Sequence, residues 1–282
     1  MSRFLLGVLA VLLVVLVVAS GSPAAATPHR IVSLSPTATE TLFAIGAGQQ
    51  VIAVDGESDY PKQAPHTSLS GFTPNVEAIA GYKPDLVVAA YDPNGLAKTL
   101  HRLGIRVLVQ DAAKTLDGAY AQMLALGRIT GHVANATRLV ASMKARIRKL
   151  VAKGAPRARG LTVYHELGPD LYSATSSTFI GRVYALFGLK NIADAADAGG
   201  TGYPKLSPEY VVSQSPDIVV LADIRCCAQT LHTVAARPGW GRVSAVHTGT
   251  IVRIDDSIAS RWGPRIVDFV RAVAAALVHL KR

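Results

Sequence analysis

The stretch EAIAGYKPDLVVAA (residues 77–90) has a counterpart further along the chain, EYVVSQSPDIVVLA (residues 209–222). Each opens on a glutamate, Glu77 or Glu209, and runs through apolar residues to a Pro-Asp pair, Pro84 and Asp85 or Pro216 and Asp217. The residue before a proline is pushed out of the helical region, so a helix should stop there. The Val/Ile/Leu run beyond the pair has the length and branching of a buried strand. Helix, turn and strand thus occur twice in one order, with a glutamate at the same place in each. A chain that makes one unit twice is expected to have two related lobes.

Neighbouring segments extend the pattern. Residues 30–34 read as a strand, and Ser35, Pro36 and Thr37 open a helix with Glu40 three positions beyond Thr37, a capping arrangement that runs to Gly46. Strands follow at 51–54, 86–89 and 105–109, with helices at 75–81 and 95–103. The second half gives strands at 161–164, 218–221 and 251–254, and helices at 178–187, 207–213 and 264–280. LFAIGAGQQVI (42–52) is echoed by YALFGLKNI (184–192), and more faintly LGIRVLVQD (103–111) by TGTIVRIDD (248–256). Short apolar strands alternating with helices predict parallel sheets covered on both faces. Between the halves, Val133, Ala136, Val140, Met143, Ile147 and Leu150 recur at steps of three and four, one apolar stripe on a long helix. The expected fold is α/β: two lobes of related βα topology, 27–131 and 156–282, joined by one backbone helix over 132–155 that Gly154, Pro156 and Gly160 end. The ligand cleft is expected between the lobes.

The first residues concern compartment. Arg3 is followed by an apolar run over 4–19, the breakers Gly21, Ser22 and Pro23, and three alanines. This reads as a cleavable signal peptide over 1–26; the run is short of the roughly 20 residues of a full span. No cysteine follows it, so a free periplasmic protein is expected. Lys and Arg number 29 against 19 Asp and Glu, but outside residues 144–159 the cations are scattered and no nucleic-acid motif accompanies them, so a nucleic-acid partner is not expected. The two cysteines, Cys226 and Cys227, are adjacent and cannot staple distant parts of the fold.

Catalytic patterns are sparse. There is no Gly-x-Ser-x-Gly elbow and no phosphate loop, and the cluster Gly199, Gly200 and Gly202 lacks the strand-to-helix setting of a dinucleotide site. His165 and Glu166, at the end of a predicted strand, are the best metal or catalytic candidates. With Asp255 or Asp256 they would make the chain an exported α/β metalloenzyme, or a carrier of a bare metal ion. The other histidines show no ligand spacing, and neither a catalytic set, a metal site nor a cofactor is expected.

RIVSLSPTATETLFAIG, SDYP (residues 58–61), NVEAIAGYKPDLVVA, LGIRVLVQD and SPEYVVSQSPDIVVL together resemble the helical-backbone, metal-chelate type of substrate-binding protein that serves ABC importers, most closely its cobalamin-binding member. The similarity covers residues 30–280. It implies a monomer that captures a metal chelate, cobalamin ahead of a ferric siderophore or heme, and delivers it to a permease dimer with ATPase subunits. It also implies that Glu77 and Glu209 dock on permease arginines, one from each lobe. Tyr172 and Tyr203 match cleft aromatics, Arg261 a cleft arginine and Asp256 the neighbourhood of a cleft aspartate. Tyr60, Phe72, Tyr91 and Trp262 join the ligand-binding candidates by loop position. This chain departs from the cobalamin-binding member at Gly71 and Ala90, where that protein has tryptophans, and at Glu57, where it has a tyrosine.

Overall fold

A computed structural model describes residues 26–280; the leader read over 1–26 lies outside them except for Ala26. The first lobe runs β1 (Ile31–Leu34), α1 (Pro36–Ala44), β2 (Val51–Val54), α2 (Val76–Gly81), β3 (Leu86–Ala89), α3 (Leu96–Arg102), β4 (Arg106–Val109). Then come α4 (Leu116–Ile129) and the backbone helix α5 (Val133–Ala158). The second lobe runs β5 (Thr162–Glu166), α6 (Phe179–Ala185), β6 (Lys190–Asn191), α7 (Pro208–Gln214), β7 (Ile218–Leu221), α8 (Ile224–Cys227), α9 (Leu231–Ala235), α10 (Ser244–Thr248), β8 (Ile251–Arg253), α11 (Asp256–Ala259) and α12 (Ile266–His279).

Each lobe holds a four-stranded, all-parallel sheet, ordered β2-β1-β3-β4 in one and β6-β5-β7-β8 in the other. The two orders are the same once the lobes are superposed by sequence. β1, β3 and β7 are buried along their whole length, as strands covered on both faces must be.

The repeated Pro-Asp pair has a structural reason. α2 and α7 each give way to a left-handed residue, Lys83 (φ 49°) and Ser215 (φ 41°), directly before the proline. The aspartate that follows then ties down the first strand of its own lobe. Asp85 accepts from the backbone N–H groups of His29 (2.8 Å) and Arg30 (3.0 Å); Asp217 accepts from the N–H and hydroxyl of Thr162, both at 2.9 Å. One motif solves the same problem twice: it satisfies backbone donors at the entry of a central strand.

α5 spans 26 residues, about 39 Å at 1.5 Å per residue. Its Ala136 packs in the first lobe's core with Ile31, Leu42 and Val88. Its Val140, Met143, Ile147 and Ala158 pack in the second lobe's core with Tyr184 and Phe269. The helix continues past Gly154 and Pro156, where the sequence reading had stopped it. Gly154 is a packing notch and not a terminator: a Cβ there would lie 2.8 Å from the Phe187 ring and 3.2 Å from Leu277. Pro156 falls in the last turn, and the chain leaves α5 through Arg159 and the left-handed Gly160 (φ 82°). The sequence reading also left α4 unassigned. Its signal was present: Thr115 caps it, accepting from the Gly118 N–H, and Ala119, Tyr120, Met123 and Leu126 are buried at helical spacing.

Candidate functional site

Helices in a parallel sheet run against the strands, so their first turns stand at the edge where the strands end. In each lobe the strand order reverses beside the first strand, between β1 and β3 and between β5 and β7, and open parallel sheets bind ligands at such places. Two adjoining cavities occupy this edge. One, of about 330 Å³, is walled by residues that follow all four strands of the first lobe: Pro36, Asp55, Tyr91 and Asp111 among them, with Phe72 and Gly71. The other, of about 540 Å³, is walled from the second lobe by Thr178, Phe179, Thr201, Tyr203 and Ser260, with Lys114. Ala112 and Trp262 line both. Trp262 is fixed: its ring N–H donates to Gln122 of α4 at 2.9 Å, and its ring meets Phe179 edge-on at 6.5 Å.

Four of the sequence candidates therefore meet here: Phe72, Tyr91, Tyr203 and Trp262. Phe72 and Tyr91 have ring centroids 6.1 Å apart, and Phe72 is 69 % exposed, an aromatic face with no protein to cover it. Tyr203 is also exposed, and burial of part of its ring raises the phenol above its ordinary value. Three candidates sit elsewhere. Tyr60 lines a separate cavity between α1 and α12, with the Arg265 guanidinium stacked 4.2 Å from its ring centroid. Tyr172 pairs with Lys205 in an isolated antiparallel bridge, under the Lys205 ammonium. Asp256 stands in the first turn of α11 with one oxygen buried and unpartnered.

Arg261 reaches across the lobes. It donates to Glu40 of α1 (3.1 Å), to Asp59 (3.0 Å) and to the Glu57 carbonyl (2.8 Å). Arg265 also donates to Glu40 (3.0 Å), and Arg225 to Asp59 (3.0 Å). Glu40 is 2 % exposed; a carboxylate so deep is tolerated because cations pair it. Hydrogen bonds from Arg261 and Arg225 outweigh partial burial at Asp59 and hold its carboxyl below the ordinary range. This network ties the two walls of the cleft together at one end. The sequence reading missed Asp55, Asp111, Lys114 and Thr201. Asp55 and Asp111 directly follow β2 and β4 or lie two residues beyond, and position after a parallel strand was the available signal.

His165 and Glu166 lie inside the second lobe. His165 is fully buried, its Nδ1 2.6 Å from the Tyr184 hydroxyl, and burial pulls its pKa down to about 3, so the ring is neutral. Glu166 is fully buried and gripped by Arg237 through two bonds of 2.6 and 2.7 Å. Asp223 beside it is also fully buried, with neither carboxyl oxygen hydrogen-bonded. Burial, and after it the Glu166 charge, pushes Asp223 up to about 7. Among the described residues no group of three or more His, Cys, Asp or Glu side chains is arranged to hold a metal ion. Cys226 and Cys227 are bonded to each other.

Glu77 and Glu209 occupy the first turns of α2 and α7, two residues past the caps Asn75 and Ser207, and both are exposed.

A family model described as periplasmic binding protein matches residues 31–258. The "Cobalamin-binding protein" of Halobacterium salinarum is 35% identical over 262 residues, covering 88% of this chain and 69% of that one. The "Vitamin B12-binding protein" of Pectobacterium carotovorum is 28% identical over 263 residues, 90% of each. Among solved structures, the periplasmic vitamin B12 binding protein of Vibrio cholerae superposes with a TM-score of 0.73 at 27% identity, covering 89% of this chain and 96% of that one. The chain belongs to the periplasmic binding protein family, whose members bind substrates outside the cytoplasm.

Proposed function

We propose that this member of the family is the solute-binding component of an ABC importer and captures cobalamin. The carrying observation is the convergence of Phe72, Tyr91, Tyr203 and Trp262 on two adjoining cavities that open between the lobes. Aromatic faces suit a large, flat, partly apolar ligand. A ferric siderophore or heme is the alternative cargo of the same cleft. Nothing in the mechanism requires chemistry on the ligand: His165 is sealed in the core and Glu166 is bound to Arg237.

In this reading a monomer works in the periplasm, freed from its leader at Ala26. The ligand loses its water between walls whose mutual angle is held by α5 and by the Glu40–Arg261–Arg265 cluster. The loaded protein then presents Glu77 and Glu209, one from each lobe, to a permease dimer driven by ATPase subunits. Twin carboxylates on a pseudo-twofold carrier suit a twofold partner; such contacts set orientation and encounter rate. Calorimetric titration of residues 27–282 with cobalamin, cobinamide, heme and ferric siderophores tests the cargo. Saturable one-to-one uptake of cobalamin supports the reading, and binding of none of these chelates removes it.

A further inference from the structure

The 330 Å³ cavity on the first lobe's side of the cleft is lined by three carboxyl groups, Asp55, Glu57 and Asp111, and by no cation; Lys114 lines the adjoining one. Glu57 and Asp111 are exposed, and among the described residues neither carboxylate has a protein hydrogen-bond partner. Asp55 differs. It is only 3 % exposed, yet it lines the cavity, and its Oδ1 is buried without any hydrogen-bond partner. A buried oxygen left unbonded is costly, so the site is built to receive a donor. Burial keeps the Asp55 carboxyl above its ordinary value, with the Ser58 hydrogen bond and the Arg261 charge acting against it.

Gly71 shows that Asp55 shapes this wall. A Cβ at Gly71 would stand 2.7 Å from Asp55 Oδ2 and 2.9 Å from the Leu34 carbonyl oxygen, so no side chain fits while the carboxyl is there. At this point the wall carries an acceptor, beside the Phe72 and Tyr91 rings.

Resting on the chelate-binding reading above, we propose that Asp55, with Glu57 and Asp111, selects the cargo: a chelate whose rim presents N–H donors, amide or ammonium, and not one rimmed by carboxylates or other anions. The primary amides of a corrinoid can donate to this wall. The propionates of heme and the charge of a ferric tricatecholate meet repulsion from it, and rejection by unpaired like charge is an efficient source of specificity.

The test is equilibrium binding of cyanocobalamin, cobinamide, hemin and a ferric tricatecholate to the mature chain and to two variants. The unaltered protein should hold the corrinoids at least about tenfold tighter than hemin or the tricatecholate, the scale of one hydrogen bond to a charged group. Asp55→Asn, nearly the same shape, should weaken corrinoid binding by about tenfold. Glu57→Lys combined with Asp111→Lys changes only exposed side chains, so folding is retained, and it should shift the hemin-to-corrinoid ratio towards hemin by about tenfold or more. Tightest binding of hemin or the tricatecholate by the unaltered chain would overturn the inference while leaving a chelate carrier intact, as would an unchanged ratio in the lysine variant. Failure to bind any of the four would overturn both.

Discussion

The two lobes share strand order, the left-handed exit before proline and the aspartate that pins the first strand, yet their interiors differ in kind. Where β1 ends in the first lobe, Ser33 meets Thr39 and Ser35 through neutral hydroxyl bonds. At the matching strand of the second lobe, His165 meets Tyr184 and Glu166 meets Arg237, with Asp223 beside them. Topology is set by backbone satisfaction and apolar burial, which both lobes obey. The polar residues at the strand ends are free to diverge, and here β1 ends among hydroxyls while β5, its counterpart, ends on a buried ion pair.

The contrast is open to direct attack. Removing one partner of a buried ion pair strands the other, so Arg237→Ala should cost about 3–5 kcal/mol. Ser33→Ala in the first lobe should cost only about 1 kcal/mol. Urea unfolding of both variants measures the gap, and equal losses would erase the distinction between the lobes. The shared element should behave alike: Asp85→Ala and Asp217→Ala should each lose about 1–3 kcal/mol, and a large inequality would show that the repeated motif serves the lobes differently.

The second lobe should respond to pH through Asp223. Its folded form keeps a proton that an unfolded chain has already released, so stability should fall as pH rises from the ordinary carboxylate value of 3.8 to about 7, and level off above. Following Trp240, buried in that lobe, through urea titrations at several pH values tests this; Asp223→Asn should flatten the slope. Glu77→Ala and Glu209→Ala should change stability by less than about 1 kcal/mol each, the scale of a helix-dipole contact, while the double variant loses stimulation of the permease ATPase. Full stimulation would leave the paired glutamates with a helix-end role only. The smallest effect should be on shape: with α5 packed into both cores, solution scattering should give almost the same radius of gyration with and without ligand.

Much of this was legible in the residues, for identifiable reasons. The 77–90 and 209–222 stretches carry punctuation that only local chemistry explains, so helix, turn and strand could be placed without any tertiary knowledge. The apolar stripe from Val133 to Leu150 marked α5 because one helix face must enter both cores. Its end was misplaced at Gly154, since a glycine that terminates a helix and a glycine that admits Phe187 look alike in a sequence. The cleft was half legible. Phe72, Tyr91, Tyr203 and Trp262 are aromatic residues in loops that the cleft gathers, whereas Tyr60, the tyrosine of SDYP, turns to Arg265. Asp55 was passed over because an aspartate after a strand reads as an ordinary turn residue; only its burial and its unbonded oxygen set it apart.

The central claim is that a ligand is held between both lobes at the ends of their strands. Amide hydrogen exchange with and without cobalamin tests it most directly. The account predicts slowed exchange at 71–72 and 90–91 in one lobe and at 201–203 in the other, together. Protection confined to one lobe, or seen only around Tyr60 and Arg265, would contradict it.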